Sequence, residues 1–98
     1  MNPKINLALQ ILPKSDGSLS TYELVDKAIE VIQKSGLPYV VCPFETVIEG
    51  SYEEVMAVAK RAQDACFENG ATEIIANIKI QRSKEYDVFI DDKLKKYK

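Results

Sequence analysis

The feature that most constrains this chain is a motif it carries twice. Ser20-Thr21-Tyr22-Glu23 and Ser51-Tyr52-Glu53-Glu54 both have the S-x-x-E spacing of a capping box. In such a box the serine oxygen accepts an early helix N–H and the glutamate reaches back to the serine's own N–H. Each box precedes apolar residues at helical spacing. After Ser20 these are Leu24, Val25, Ala28, Ile29 and Ile32, opposed by Asp26, Lys27, Glu30 and Gln33, with Gly36 as a stop. After Ser51 they are Val55, Val58, Ala59, Ala62, Ala65 and Cys66, and the pattern ends near Asn69-Gly70. The spacing predicts two helices, each burying one face.

Around the helices the period changes to that of strands. From Lys4 to Leu12, Ile5, Leu7, Leu9 and Ile11 alternate with Asn6, Ala8, Gln10 and Leu12, and Pro13 to Ser18 has the composition of a turn. Leu37 to Cys42 reads as a second strand limited by Pro43, and Glu45 to Gly50 as a third, joined to the second as a hairpin or a bulged continuation. Val47 and Ile48 are both apolar, so the pattern leaves open which face of the third strand meets the helices. Glu73 to Ile80 forms the fourth, with Ile74, Ala76, Ile78 and Ile80 on one face and Ile75, Asn77 and Lys79 on the other. A loop is expected over Gln81 to Tyr86, then an arm from Val88 to Lys98, in which Val88-Phe89-Ile90 has the makings of a short strand and the remainder of a helix.

The order is therefore βαββαβ, two similar halves. The simplest architecture is α+β: a ferredoxin-like sandwich with a four-stranded antiparallel sheet, two helices on one face and a C-terminal arm. At 98 residues, 1–98 is expected to be a single domain. The face without helices would carry Asn6, Ala8, Gln10, Leu12, Ile75, Asn77 and Lys79. Leaving its apolar members in water forgoes roughly 1.5–3 kcal/mol per side chain, so that face is expected to pack on a second copy or hold a ligand.

Composition narrows the functional classes. With 13 basic and 15 acidic residues the net charge is −2, and the concentrated basic surface that nucleic acid requires is missing. The lysines at 93, 95, 96 and 98 read as a solvated chain end. Apolar runs stop well short of the roughly 18 residues of a membrane span, and the N-terminus has no signal-peptide pattern, so a cytoplasmic location is expected. Cys42 and Cys66 form no C-x-x-C pair in a chain with no histidine, which argues against zinc. Both lie among apolar neighbours and are expected as small core residues.

Catalytic constellations are scarce. Glu45 and Glu49, four apart, would point to one side of a strand, but exposed charges flanking Val47 are the better account of them. No glycine-rich phosphate loop occurs.

Several segments together resemble a known family. Ala8-Leu9-Gln10-Ile11-Leu12-Pro13, Gly36-Leu37-Pro38-Tyr39, Pro43-Phe44-Glu45-Thr46-Val47-Ile48-Glu49-Gly50, Ile78-Lys79-Ile80, Ile90-Asp91-Asp92-Lys93 and Lys96-Tyr97 are similar to the thiamine-binding protein family, formerly domain of unknown function 77. The Thr46-Val47-Ile48-Glu49-Gly50 run is the most specific of them. The resemblance implies a ferredoxin-like subunit that pairs into dimers and stacks into tetramers, and that binds thiamine or its hydroxymethylpyrimidine half without turnover. By matching position, it implies Gln10, Phe44, Thr46 and Glu49 near the pocket, with Asn77 where relatives commonly carry a small hydroxyl residue. No resident cofactor is implied, since the acidic metal motif and phosphate contacts of thiamine-diphosphate enzymes are missing.

The residue chemistry suits such a ligand. Amides of Gln10 and Asn77 match the donor and acceptor edge of an aminopyrimidine, Glu49 accepts from an amine, and Phe44 or Tyr39 stacks on a ring or thiazolium cation. Each also has a plainer reading: interface polar groups for Gln10 and Asn77, a strand former for Thr46, a bond to the following helix for Glu49, core aromatics for Phe44 and Tyr39. The function expected is non-enzymatic binding for storage, sensing or delivery; the competing expectation is an oligomeric interaction or regulatory module with no dedicated ligand.

Overall fold

Alternation of apolar side chains sets up the sheet, and the capped helices close one side of it. The computed structural model describes residues 3–97. β1 (Ile5–Ser15) leads to α1 (Thr21–Lys34), then β2 (Tyr39–Val41), β3 (Thr46–Gly50), α2 (Tyr52–Glu68), β4 (Ala71–Gln81) and a short α3 (Ile90–Leu94) that ends in a 3₁₀ turn over Lys95–Tyr97. The sheet order is β2-β3-β1-β4 with every pairing antiparallel, the split βαβ arrangement of a ferredoxin-like α+β fold.

Both capping boxes form in full. Glu23 N donates to Ser20 Oγ at 3.1 Å and Ser20 N to Glu23 Oε1 at 3.0 Å; the corresponding distances at Ser51 and Glu54 are 3.2 and 3.0 Å. Accepting the serine N–H holds each glutamate carboxyl below the usual 4.5. Beneath the helices lie Ile5, Leu7, Leu9 and Ile11 of β1, Ile48 of β3, and the predicted stripe residues Leu24, Ala28, Ile32, Val55, Val58, Ala59, Ala62 and Cys66. The Cys66 thiol donates to Leu24 O at 3.3 Å, and burial pushes its pKa up, so it stays protonated in the core.

Register settles what the pattern left open in β3. Leu9 pairs with Thr46, Leu7 with Ile48 and Ile5 with Gly50, which turns Thr46 and Ile48 toward the helices and Val47 and Glu49 to the opposite face.

Three sequence expectations need correction. β1 runs through the expected turn at Pro13 and on to Ser15, because β4 pairs with it as far as Ala71. Beyond Leu9 the strand has a partner on one side only, where a residue without an N–H is tolerated. The reversal falls instead at residues 16–19, seated against Gly70, whose φ of +113° and 2.5 Å approach of Ser18 Oγ to a would-be Cβ leave room for glycine alone. Cys42 is half-buried in the β2–β3 connection, not a core residue. Finally, Val88 to Ile90 adds no strand: Val88 and Phe89 are irregular and Ile90 starts α3. Among the described residues no helix is long and apolar enough to cross a membrane.

Candidate ligand-binding groove

β3 pairs with β1 only as far as Leu9, so the β1 segment from Gln10 to Ser15 has an open edge on that side. The β2–β3 connection, closed by Cys42 N donating to Glu45 O at 2.9 Å, projects past this edge, and the first turns of α1 stand opposite it. Between them lies a groove of about 700 Å³. Its walls are Tyr22, Val25, Asp26 and Ile29 from α1, and Pro43, Phe44 and Glu45 from the connection.

Two large aromatics on the groove are almost wholly in solvent: Phe44 is 83% exposed and Tyr22 84%. Such exposure forgoes most of their burial energy and leaves both ring faces free to stack. Thr46 is 5% exposed and, being on the helix side of β3, belongs to the floor. Asp26 and Glu45 are acidic, and among the described residues no lysine or arginine lines the groove. Glu45 is already engaged, since Lys79 Nζ approaches its Oε1 at 3.3 Å from β4. That pair is solvated and contributes about 0–1 kcal/mol.

The residues singled out by resemblance divide among three places. Phe44, Thr46 and Gln10 all line the groove. Gln10 does so at the strand edge, for its parity turns the side chain to the other sheet face, where Asn77 Nδ2 donates to Gln10 Oε1 at 3.1 Å. Asn77 is thus an exposed partner of Gln10 and not part of the groove lining.

Glu49 is elsewhere again. It is 8% exposed, and its Oε1 accepts the N–H of Ile90, the first residue of α3, at 2.7 Å. The helix it caps is therefore α3 and not the α2 that follows it in sequence. Around it, Val88 N donates to Lys4 O at 2.9 Å, Asn6 Nδ2 to Val88 O at 3.0 Å, and Lys4 N to Asp87 Oδ1 at 2.7 Å. Val88 and Ile90 are buried by this docking. The arm thus roofs one corner of the face expected to be bare, and Asn6, expected there as an open surface residue, is 4% exposed beneath it. The carboxylates of Glu45 and Glu49 consequently have separate partners, Lys79 and Ile90.

Tyr22 and Asp26 were not among the sequence candidates. A signal existed, since Tyr22 is a large aromatic on the first turn of a helix whose apolar stripe begins only at Leu24, but an exposed tyrosine by itself commits to nothing.

Comparison with known proteins bears on the family and the fold. The sequence model of the thiamine-binding protein family matches residues 7–98. A UPF0045 protein of Clostridium perfringens is 40% identical over 93 residues, covering 95% of this chain and 96% of its own. The solved Bacillus cereus structure of a domain of unknown function, DUF77, is 40% identical with a TM-score of 0.94, covering 100% of this chain and 93% of its own. A Thermotoga maritima protein, provisionally described as a thiamine biosynthesis/salvage protein, is 27% identical with a TM-score of 0.86, covering 98% of this chain and 100% of its own. With the fold and these matches in agreement, the chain belongs to the thiamine-binding protein family.

Proposed function

We propose that this protein binds thiamine or a related hydroxymethylpyrimidine compound in the groove beside β1, without catalysis, as a cytoplasmic homo-oligomer. The observation that carries the reading is the convergence of Phe44 and Thr46 on one groove together with Tyr22 and Asp26, with Gln10 at its strand edge. Thiamine is a flat aminopyrimidine linked to a cationic thiazolium ring. Exposed aromatic faces attract such a cation, and desolvated contacts of this type contribute about 2 kcal/mol. The unpartnered backbone edge of β1 offers N–H donors and C=O acceptors, the complement of an aminopyrimidine edge. Acidic Asp26 beside the aromatics favours the cationic vitamin over its phosphate esters.

Self-association has its own support. Leu12 and Ile75 are register partners on the face away from α1 and α2, at 47% and 57% exposure, outside the corner that α3 covers. A second copy laid on that face would bury them. The same observation favours the second reading, an interaction module whose groove is incidental.

Isothermal calorimetry with thiamine and with hydroxymethylpyrimidine is the direct test. Saturable heat with one of them is expected. No heat and no thermal shift at millimolar ligand would leave the interaction module as the better account.

A further inference from the structure

Hydrogen-bond parity across the sheet singles out one residue of the groove. Glu49 N donates to Pro38 O at 3.0 Å and Cys42 N to Glu45 O at 2.9 Å, so the main-chain groups of Glu45, Val47 and Glu49 point toward β2. Those of Thr46, Ile48 and Gly50 therefore point toward β1, where they meet Leu9, Leu7 and Ile5. It follows that the odd-numbered residues of β1 face β3 and the even-numbered ones face β4. The bond from Thr72 Oγ1 of β4 to Lys14 O, at 3.2 Å, agrees with that assignment.

Four residues of β1 line the groove: Leu9, Gln10, Ile11 and Leu12. Leu9 is paired with Thr46, and Gln10 and Leu12 turn their main-chain groups to β4. Ile11 alone directs its N–H and C=O to the side where β3 has ended. Pro13, the next residue of the same parity, has no N–H to offer. The Ile11 side chain is packed in the core, which holds its main chain in one orientation beside the groove. A contact made to such a fixed group costs little ordering.

The N–H and C=O of one extended residue point the same way, a donor next to an acceptor. An aminopyrimidine presents the complement, an amino N–H beside a ring nitrogen that accepts. We infer that the main chain of Ile11 is the specificity determinant of the groove, its C=O accepting from the amino group and its N–H donating to the adjacent ring nitrogen of a six-membered heterocycle. This inference rests on the function proposed above and fixes which half of the ligand meets the strand. The exposed rings of Phe44 and Tyr22, which line the same groove, are left to stack on the ligand. A ring without the amino group forfeits one bond and leaves the Ile11 C=O unpaired.

The test is amide hydrogen exchange followed by NMR on the isotope-labelled full chain. Hydroxymethylpyrimidine is the probe and the same compound without its amino group the control, each also titrated by calorimetry. With the probe at about ten times its Kd, exchange of the Ile11 N–H should slow by about tenfold, and the control should bind about tenfold more weakly. Ile11→Pro removes the N–H and should bind the probe about tenfold more weakly than Ile11→Val, which trims the same side chain and keeps it. Should Ile11→Pro fail to fold, the exchange measurement and the control compound decide. Saturable binding of the probe with Ile11 exchange unchanged, or equal affinity for the two compounds, would overturn the inference and leave the function proposed for the groove standing. No binding of either the probe or thiamine would remove both.

Discussion

The groove beside β1 and the corner under α3 lie on opposite faces of one sheet and solve opposite problems. At the corner the chain completes itself: Glu49, Asn6 and the start of β1 are bonded to the arm, and Val88 and Ile90 are buried on them. At the groove it does not. Phe44 and Tyr22 stay in solvent and the β1 edge past Leu9 has no strand beside it. The difference teaches where stability and binding reside, because groups satisfied internally hold the fold and groups left unsatisfied at a concave surface are available to another molecule.

That division can be broken by exchange of effects between the two regions. The largest effect is expected from Glu49→Ala, which leaves the Ile90 N–H at the docked arm without its acceptor. Such a loss costs about 1–3 kcal/mol. Each kcal/mol lowers Tm by roughly 4–8 °C in a domain of this size. Thermal unfolding should show this drop while calorimetry gives an unaltered thiamine affinity; a lost affinity would mean that Glu49 serves the ligand and the two regions are one.

Phe44→Ala should do the reverse. Removing an exposed ring leaves Tm unchanged and weakens thiamine by about tenfold, some 1.4 kcal/mol. A stability loss without a binding loss would assign Phe44 to packing or to a subunit contact.

Asp26→Asn sharpens the electrostatic side of the comparison. An exposed charge contributes about 0.2–1 kcal/mol, so thiamine should weaken by up to about fivefold while thiamine diphosphate, the poorer ligand of the unaltered protein, gains. Parallel changes in both ligands would show that the groove does not sense charge.

Asn77→Ala is expected to do least, under about 0.5 kcal/mol in either assay, since the amide is exposed and bonded only to Gln10. A larger affinity loss would extend the binding surface round the strand edge to the second face.

The capping boxes give a pH signature common to both regions. Bonding to Ser20 and Ser51 N–H holds Glu23 and Glu54 below 4.5, so their contribution to stability is present above that value and is lost as the pH falls through the lowered folded values. Urea denaturation across this range should show a shallower acid loss for the Glu23→Gln, Glu54→Gln double variant than for the unaltered chain.

Much of this architecture is legible from local patterns. The serines at 20 and 51 mark both helix starts because a capping box is complete within four residues, and period-two alternation identifies the buried face of β1 without reference to any partner; the matching face of β4 is only partly covered, with Ile74 and Ala76 half-buried and Ile78 and Ile80 exposed. Of the groove, Phe44 and Thr46 could be nominated by resemblance, while Tyr22 and Asp26 could not, because they matter only through the β2–β3 connection standing opposite them. Pro13 misled for a similar reason: as a local signal it ends a strand, and only the absence of a neighbour on one side of β1 makes it harmless.

What the sequence determined by itself is the order of the four strands and two capped helices, their caps and the residues of α1, α2 and β1 that face the core, all of which depend on neighbours a few positions away. Tertiary structure alone decided that Thr46 and Glu49, three residues apart, serve opposite faces, that the arm roofs Asn6, and that β1 outlasts β3 to leave a groove. Those outcomes depend on strand register and on contacts between residues as distant as Asn6 and Val88, where pairing energy summed over the whole sheet, and not any local preference, chooses the arrangement.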